Sequence, residues 1–130
     1  MKKSVNVFGA KASIHIRYSG NINSLASMLE SELEVPEIWI QPREEPPYDD
    51  VGYAEVFGWE LWLEKQETIK SFQYLLHIET SHSVQEIFYD RMHDISLWLA
   101  RYISEFCKLD TLVSESKVMF NDGVYKILDD

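Results

Sequence analysis

Cysteine is almost missing from this chain: Cys107 is the only one in 130 residues. No internal disulfide framework is possible, and a chain that does without one suits a reducing compartment, so a cytoplasmic location is expected. Glycine is also scarce, at five residues, and none sits in a phosphate-cradling loop or a nucleophile elbow. Long apolar runs are absent. No stretch approaches the ~18 residues of a membrane span, and the opening "MKKSVNVFG" is broken by Asn6 and Gly9 before a secretory core could form. Apolar content itself is not lacking. The chain is 45% hydrophobic and 13% aromatic, which excludes general disorder. A chain of this length buries about two thirds of its unfolded surface, so residues 1–130 are expected to form a single domain without metal or disulfide support.

Bases are few, 12 against 22 acids, for a net charge of −10. The imbalance is local. Between Glu30 and Glu67 there are twelve acids and only Arg43 and Lys65 as bases, while the remainder holds ten of each. The whole net charge therefore lies in one contiguous stretch. Such a region repels nucleic acid and anionic membranes, so neither is an expected partner. It attracts and steers a basic protein.

Hydrophobic periodicity predicts an α+β fold with a mainly antiparallel sheet, one short and one long packed helix, in the order β-β-α-β-β-β-α-β-β. Residues 5–18 read as two strands around a turn near Gly9. "NINSLASMLESELE" reads as a helix capped by Asn21 or Asn23 and closed before Pro36. "EIWIQ" is a short strand. "PREEPPYDD" (42–50), with three prolines, is a loop. "VGYAEVFGWELWLEK" resumes strand character, with Gly58 either a turn or a bulge. "SFQYLLHIET" is a strand with Phe72, Tyr74, Leu76 and Ile78 on one face. A long helix is expected from about Ser83, where Ser83 and Glu86 form a capping box, to Cys107. Its apolar stripe should pack Ile87, Phe88, Ile95, Trp98 and Tyr102 on the sheet. A closing hairpin turns at Asn121-Asp122-Gly123.

Chemistry-bearing constellations are thin. On the long helix Asp90, His93 and Asp94 would share a face at metal-ligand spacing. They fall opposite the apolar stripe, where Arg91, Arg101 and Lys108 offer charge partners, so a solvated face is the preferred reading. Cys107 follows Phe106 near a helix C-terminus, where a thiol is less acidic, and reads as a buried structural residue. No catalytic residue, metal site or cofactor is assigned, and an enzyme is not expected.

The stretch "GWELWLE" (58–64) is more informative. In a strand, Trp59, Leu61 and Leu63 share one face, and Glu60, Trp62 and Glu64 the other. The first set should face the core. The second places a tryptophan between two carboxylates, a combination suited to an interface anchor with charged surroundings. With the adjacent proline-stiffened loop, the expected partner-binding residues are Glu44, Glu45, Asp49, Asp50, Glu60, Trp62 and Glu64.

The blocks "SIHIRYSGNINSLASMLESELEVP", "GYAEVFGWELWL" and "DISLWLARYISEFCKLD", over residues 13 to 113, resemble in order and amphipathic pattern the small bacterial immunity proteins of polymorphic and contact-dependent growth-inhibition toxins. The resemblance implies a non-enzymatic cytosolic antidote. Such a protein binds a cognate toxin domain, often a basic nuclease, and occludes its active or nucleic-acid-binding surface. Immunity surfaces vary with their toxins, so no family binding residues carry over. The alternative reading is a small acidic adaptor or structural protein with another protein partner.

Overall fold

The computed structural model describes residues 10–42, 49–56, 58–80 and 93–128. Their order is β1 (Ala10–Arg17), α1 (Ile22–Leu33), β2 (Trp39–Gln41), β3 (Val51–Val56), β4 (Trp59–Ile69), β5 (Phe72–Thr80), β6 (His93–Asp94), α2 (Ser96–Cys107), β7 (Asp110–Val113), β8 (Val118–Asn121) and β9 (Val124–Ile127). The class is α+β and the sheet is antiparallel apart from one short pairing, as the sequence patterns imply. The element order is richer than expected. β1 begins at Ala10 and runs unbroken to Arg17, and the expected strand over Val5–Val7 with its Gly9 turn lies outside the described residues. Of the two readings of Gly58 the turn holds: residues 51–69 form two strands, and Gly58 takes φ +82, a left-handed conformation that suits a hairpin turn. β6 and β7 were not expected at all.

Across the sheet the strands run β2-β3-β4-β5-β1-β7-β8-β9. β5 pairs along one edge of β1, and β6 and β7 share its other edge. Between them no described strand residue partners Ser13 on that edge, and its N–H donates to Ser96 Oγ at 3.0 Å. Period-two alternation then sets the two faces. Ala12, Ile14 and Ile16 of β1, Leu61 and Leu63 of β4, and Tyr74, Leu76 and Ile78 of β5 are all buried on one face, under both helices, and Phe72 is buried at the start of β5. α1 starts where Asn21 Oδ1 accepts from Ser24 N at 2.8 Å, buries Ile22, Leu25, Ala26 and Leu29, and stops at Glu34 in the left-handed region. The β8–β9 hairpin turns as expected, with Asp122 and Gly123 both at positive φ.

The long helix is the main correction. His93 and Asp94 pair with Ala10 and Lys11 as a strand, so no helix runs continuously through them. The expected segment from Ser83, with its capping box, Ile87 and Phe88, lies outside the described residues. In α2 the buried face is Ser96, Leu99, Ala100, Ile103, Ser104 and Cys107. Trp98 is 64% exposed and Phe106 51% exposed, so the expected packing of Trp98 on the sheet is wrong. The cause is the small-residue row Ser96, Ala100, Ser104, one per turn. It lets the helix lie close to the strands, and neighbours hydrogen-bond to its backbone and to its short side chains. Thr111 Oγ1 donates to the Ala100 carbonyl at 2.8 Å, and Gly123 N donates to Ser104 Oγ at 3.0 Å. An indole could not enter that gap. The aromatic row Trp98–Tyr102–Phe106 instead stacks along the outside, with ring centroids 5.7 and 4.7 Å apart.

Candidate functional site

The helices occupy one face of the sheet, and no described helix lies on the other. Strand register brings three rows together on that open face. The first is Trp39–Tyr53–Trp62–His77–Ser13, each residue directly opposite the next across β2, β3, β4, β5 and β1. The second is Glu55–Glu60–Glu79–Lys11. The third, on the other side of the aromatic row, is Gln41–Val51–Glu64–Leu75–His15. Directly opposed residues on a sheet hold their Cβ atoms about 5 Å apart. A ladder of aromatic rings thus runs between carboxylates.

Hydrogen bonds and ring contacts fix this ladder. The Tyr53 and Trp62 rings meet at 4.5 Å between centroids, tilted by 56°, a favoured edge-toward-face geometry. Tyr53 Oη donates to Glu55 Oε2 at 3.4 Å. The phenol is held above its ordinary value, first by burial and then by the negative charges of Glu55 and Glu60. At the far end, His77 Nε2 lies 3.1 Å from Glu79 Oε2 and Nδ1 lies 2.7 Å from Ser13 Oγ. A carboxylate on Nε2 favours the proton there, which leaves Nδ1 to accept from the Ser13 hydroxyl. This chain of contacts has the order of a serine-nucleophile triad. The Ser13 N–H is already bound to Ser96 Oγ, so Ser13's own amide is not free to serve as an oxyanion donor. What the contacts do is orient the imidazole at the end of the aromatic row.

Of the residues expected to bind a partner, Glu60, Trp62 and Glu64 lie together on the open face, as alternation in β4 requires. Glu44 and Glu45 fall outside the described residues. Asp50 is exposed just before β3. Asp49 stands apart from the open face. It helps hold the Tyr74 phenol up, after burial and Tyr18, and Tyr74 belongs to the helix-covered face. Leu61 and Leu63 are buried as expected, but Trp59 is 39% exposed at the margin of the core, whereas Trp62 is half-buried by its strand neighbours. The metal constellation loses its premise: His93 and Asp94 are successive strand residues, which point to opposite faces, and Asp90 is outside the described residues. Cys107 is buried, and burial together with Glu32 pushes its thiol up to about 11.

Sequence reasoning missed Tyr53, Glu55, His77 and Glu79 as members of this face. The signal was present in "VGYAEVFGWELW". Taking Gly58 as a two-residue hairpin turn pairs Val56 with Trp59, and the register then sets Glu55 against Glu60 and Tyr53 against Trp62. No known family, curated protein or solved structure matches the chain.

Proposed function

We propose that the chain is an immunity protein. It binds a basic cognate toxin domain, a nuclease, through the open sheet face, and occludes that toxin's active or nucleic-acid-binding surface without performing catalysis itself. The observation that carries this reading is the half-buried ring pair Tyr53–Trp62 set between Glu55 and Glu60 on one side and Glu64 on the other. Like charges directly opposed on a sheet cost stability, and a basic partner turns that cost into attraction. Tryptophan and tyrosine are enriched among binding hot spots, and the carboxylates around them steer an oppositely charged partner. The concentration of the net charge between Glu30 and Glu67 supports the same polarity of partner.

The test is complex formation with the toxin domain encoded beside this gene. The native chain should form a stoichiometric complex and abolish nuclease activity. Trp62→Ala should weaken the complex by about 2 kcal/mol or more. Glu60→Lys should slow association more than it speeds dissociation. A stoichiometric complex with an unrelated housekeeping protein, and no effect on a toxin, would establish the adaptor reading instead.

A further inference from the structure

β2 begins only at Trp39, opposite Tyr53, while antiparallel β3 continues to Val56. Past Tyr53 the outer margin of β3 therefore has no described strand beside it. A groove of about 380 Å³ opens there, lined by Pro36, Glu37, Trp39, Tyr53, Ala54 and Glu55. Its walls are two aromatic rings and its rim holds two exposed carboxylates. Trp39 is 59% exposed, and no described ring stacks on it.

We propose that this groove is a guanidinium site, which takes one arginine side chain of the basic partner. The inference rests on the partner reading above and narrows it to a particular group and place. Three arguments favour arginine. First, charge complementarity requires a cation, because Glu37 and Glu55 flank the rings. Second, a planar, weakly hydrated guanidinium stacks on an indole and pairs in the same pose with a carboxylate, which a compact, strongly hydrated ammonium does poorly. Third, the molecule already holds an arginine in this way. The Arg17 guanidinium carbon lies 4.7 Å from the Phe72 ring centroid while its Nη1 pairs with Asp110. The β2–β3 groove repeats that combination of ring and carboxylate at the surface, open to a residue from another chain.

The test measures fluorescence anisotropy of labelled nona-arginine and nona-lysine peptides, equal in charge, at ~0.15 M salt. The native chain should prefer the arginine peptide by about five-fold. Trp39→Ala should remove that preference and leave the lysine-peptide affinity in place. Trp98→Ala, which deletes an exposed indole that does not line the groove, should leave the preference intact. Because Trp39 is exposed, its removal should not unfold the chain. The double variant Glu37→Gln, Glu55→Gln provides a second reading and should weaken the arginine peptide about five-fold. A preference that survives Trp39→Ala overturns the groove. Equal affinity for the two peptides overturns the guanidinium site while upholding an acidic docking face, and no binding of either peptide overturns both.

Discussion

β4 and α2 each carry a periodic set of aromatic and aliphatic residues, and they use it in opposite ways. In β4 a period of two leaves one solution. Leu61 and Leu63 go under the helices, and Trp62 goes to the other side. In α2 the 3–4 spacing of apolar residues fits two neighbouring stripes, Leu99–Ile103–Cys107 and Trp98–Tyr102–Phe106. The first is buried and the second is largely outside. The difference lies in how many faces an element offers. A strand has two, so alternation decides the matter, and a one-residue error would expose the entire hydrophobic set. A helix turns 100° per residue, and adjacent stripes compete for the core on packing distance.

The largest effects should come from the stripe that won. Ile103 is fully buried, and Ile103→Ala should cost about 3–4 kcal/mol in denaturant unfolding, through lost burial and the cavity left behind. Trp98→Ala, at 64% exposure, should cost less than about 1 kcal/mol despite the larger side chain removed. If the two costs came out in the reverse order, the assignment of faces in α2 would be wrong. Next in size is Ala100→Leu. Ala100 is fully buried and its carbonyl accepts from Thr111 Oγ1. A larger side chain there pushes the helix off the sheet at a cost of about 1–3 kcal/mol.

The same contrast marks how far the sequence could be read. The α+β class, α1 with its Asn21 cap, the inward face of β5 and the β8–β9 turn all follow from local pattern, capping and turn chemistry. The outward placement of Glu60, Trp62 and Glu64 follows from alternation alone. The rest of the open face depends on register across five strands. Trp39, Tyr53, Trp62 and His77 are scattered over nearly forty positions in sequence, and nothing local makes them neighbours. Conversely, the tightness of the α2 contact depends on Ser96, Ala100 and Ser104. Small residues carry little weight in a hydrophobic pattern, although here they decide which stripe is buried.

A third measurement separates the two ends of the third row, exposed Gln41 and buried His15. His15 is 8% exposed, and its Nδ1 has no hydrogen-bond partner among the described residues. Burial lowers its pKa from the ordinary 6.5. The unfolded chain therefore takes up the proton first as pH falls, and stability declines from about pH 6.5 downward until the lower folded value is passed. Unfolding free energy measured at pH 7.5 and at pH 5.5 should show this decline in the native chain and less of it in His15→Leu. An equal decline in both would place the titrating group elsewhere. Asp94 acts at more acid pH. Burial alone would raise its carboxyl, but hydrogen bonds from Ser96, with Lys11 and His93 nearby, leave it below the usual range. Its contribution is present above the ordinary carboxylate value and is lost as pH falls through the lowered one, so Asp94→Asn should lower stability at neutral pH and flatten that acid limb.

The smallest expected effect bears most directly on why the open face is built as it is. Glu55 and Glu60 are opposed across β3 and β4, and Glu60 and Glu79 across β4 and β5, so three carboxylates run abreast. Glu55→Gln keeps an oxygen to accept from Tyr53 Oη and removes one charge from the row. If the row is under electrostatic strain while the protein is alone, the substitution should stabilise the fold by a few tenths of a kcal/mol at low salt. The gain should fade near 1 M salt, where the screening length is about 3 Å. The same substitution should weaken the complex with a basic partner, because the charge that costs stability is the charge that attracts. A loss of stability at low salt would mean that the chain's own cations already balance the row, and the strain argument for a partner would fail. A gain in stability together with weaker binding would show a face that gives up some folding free energy for recognition.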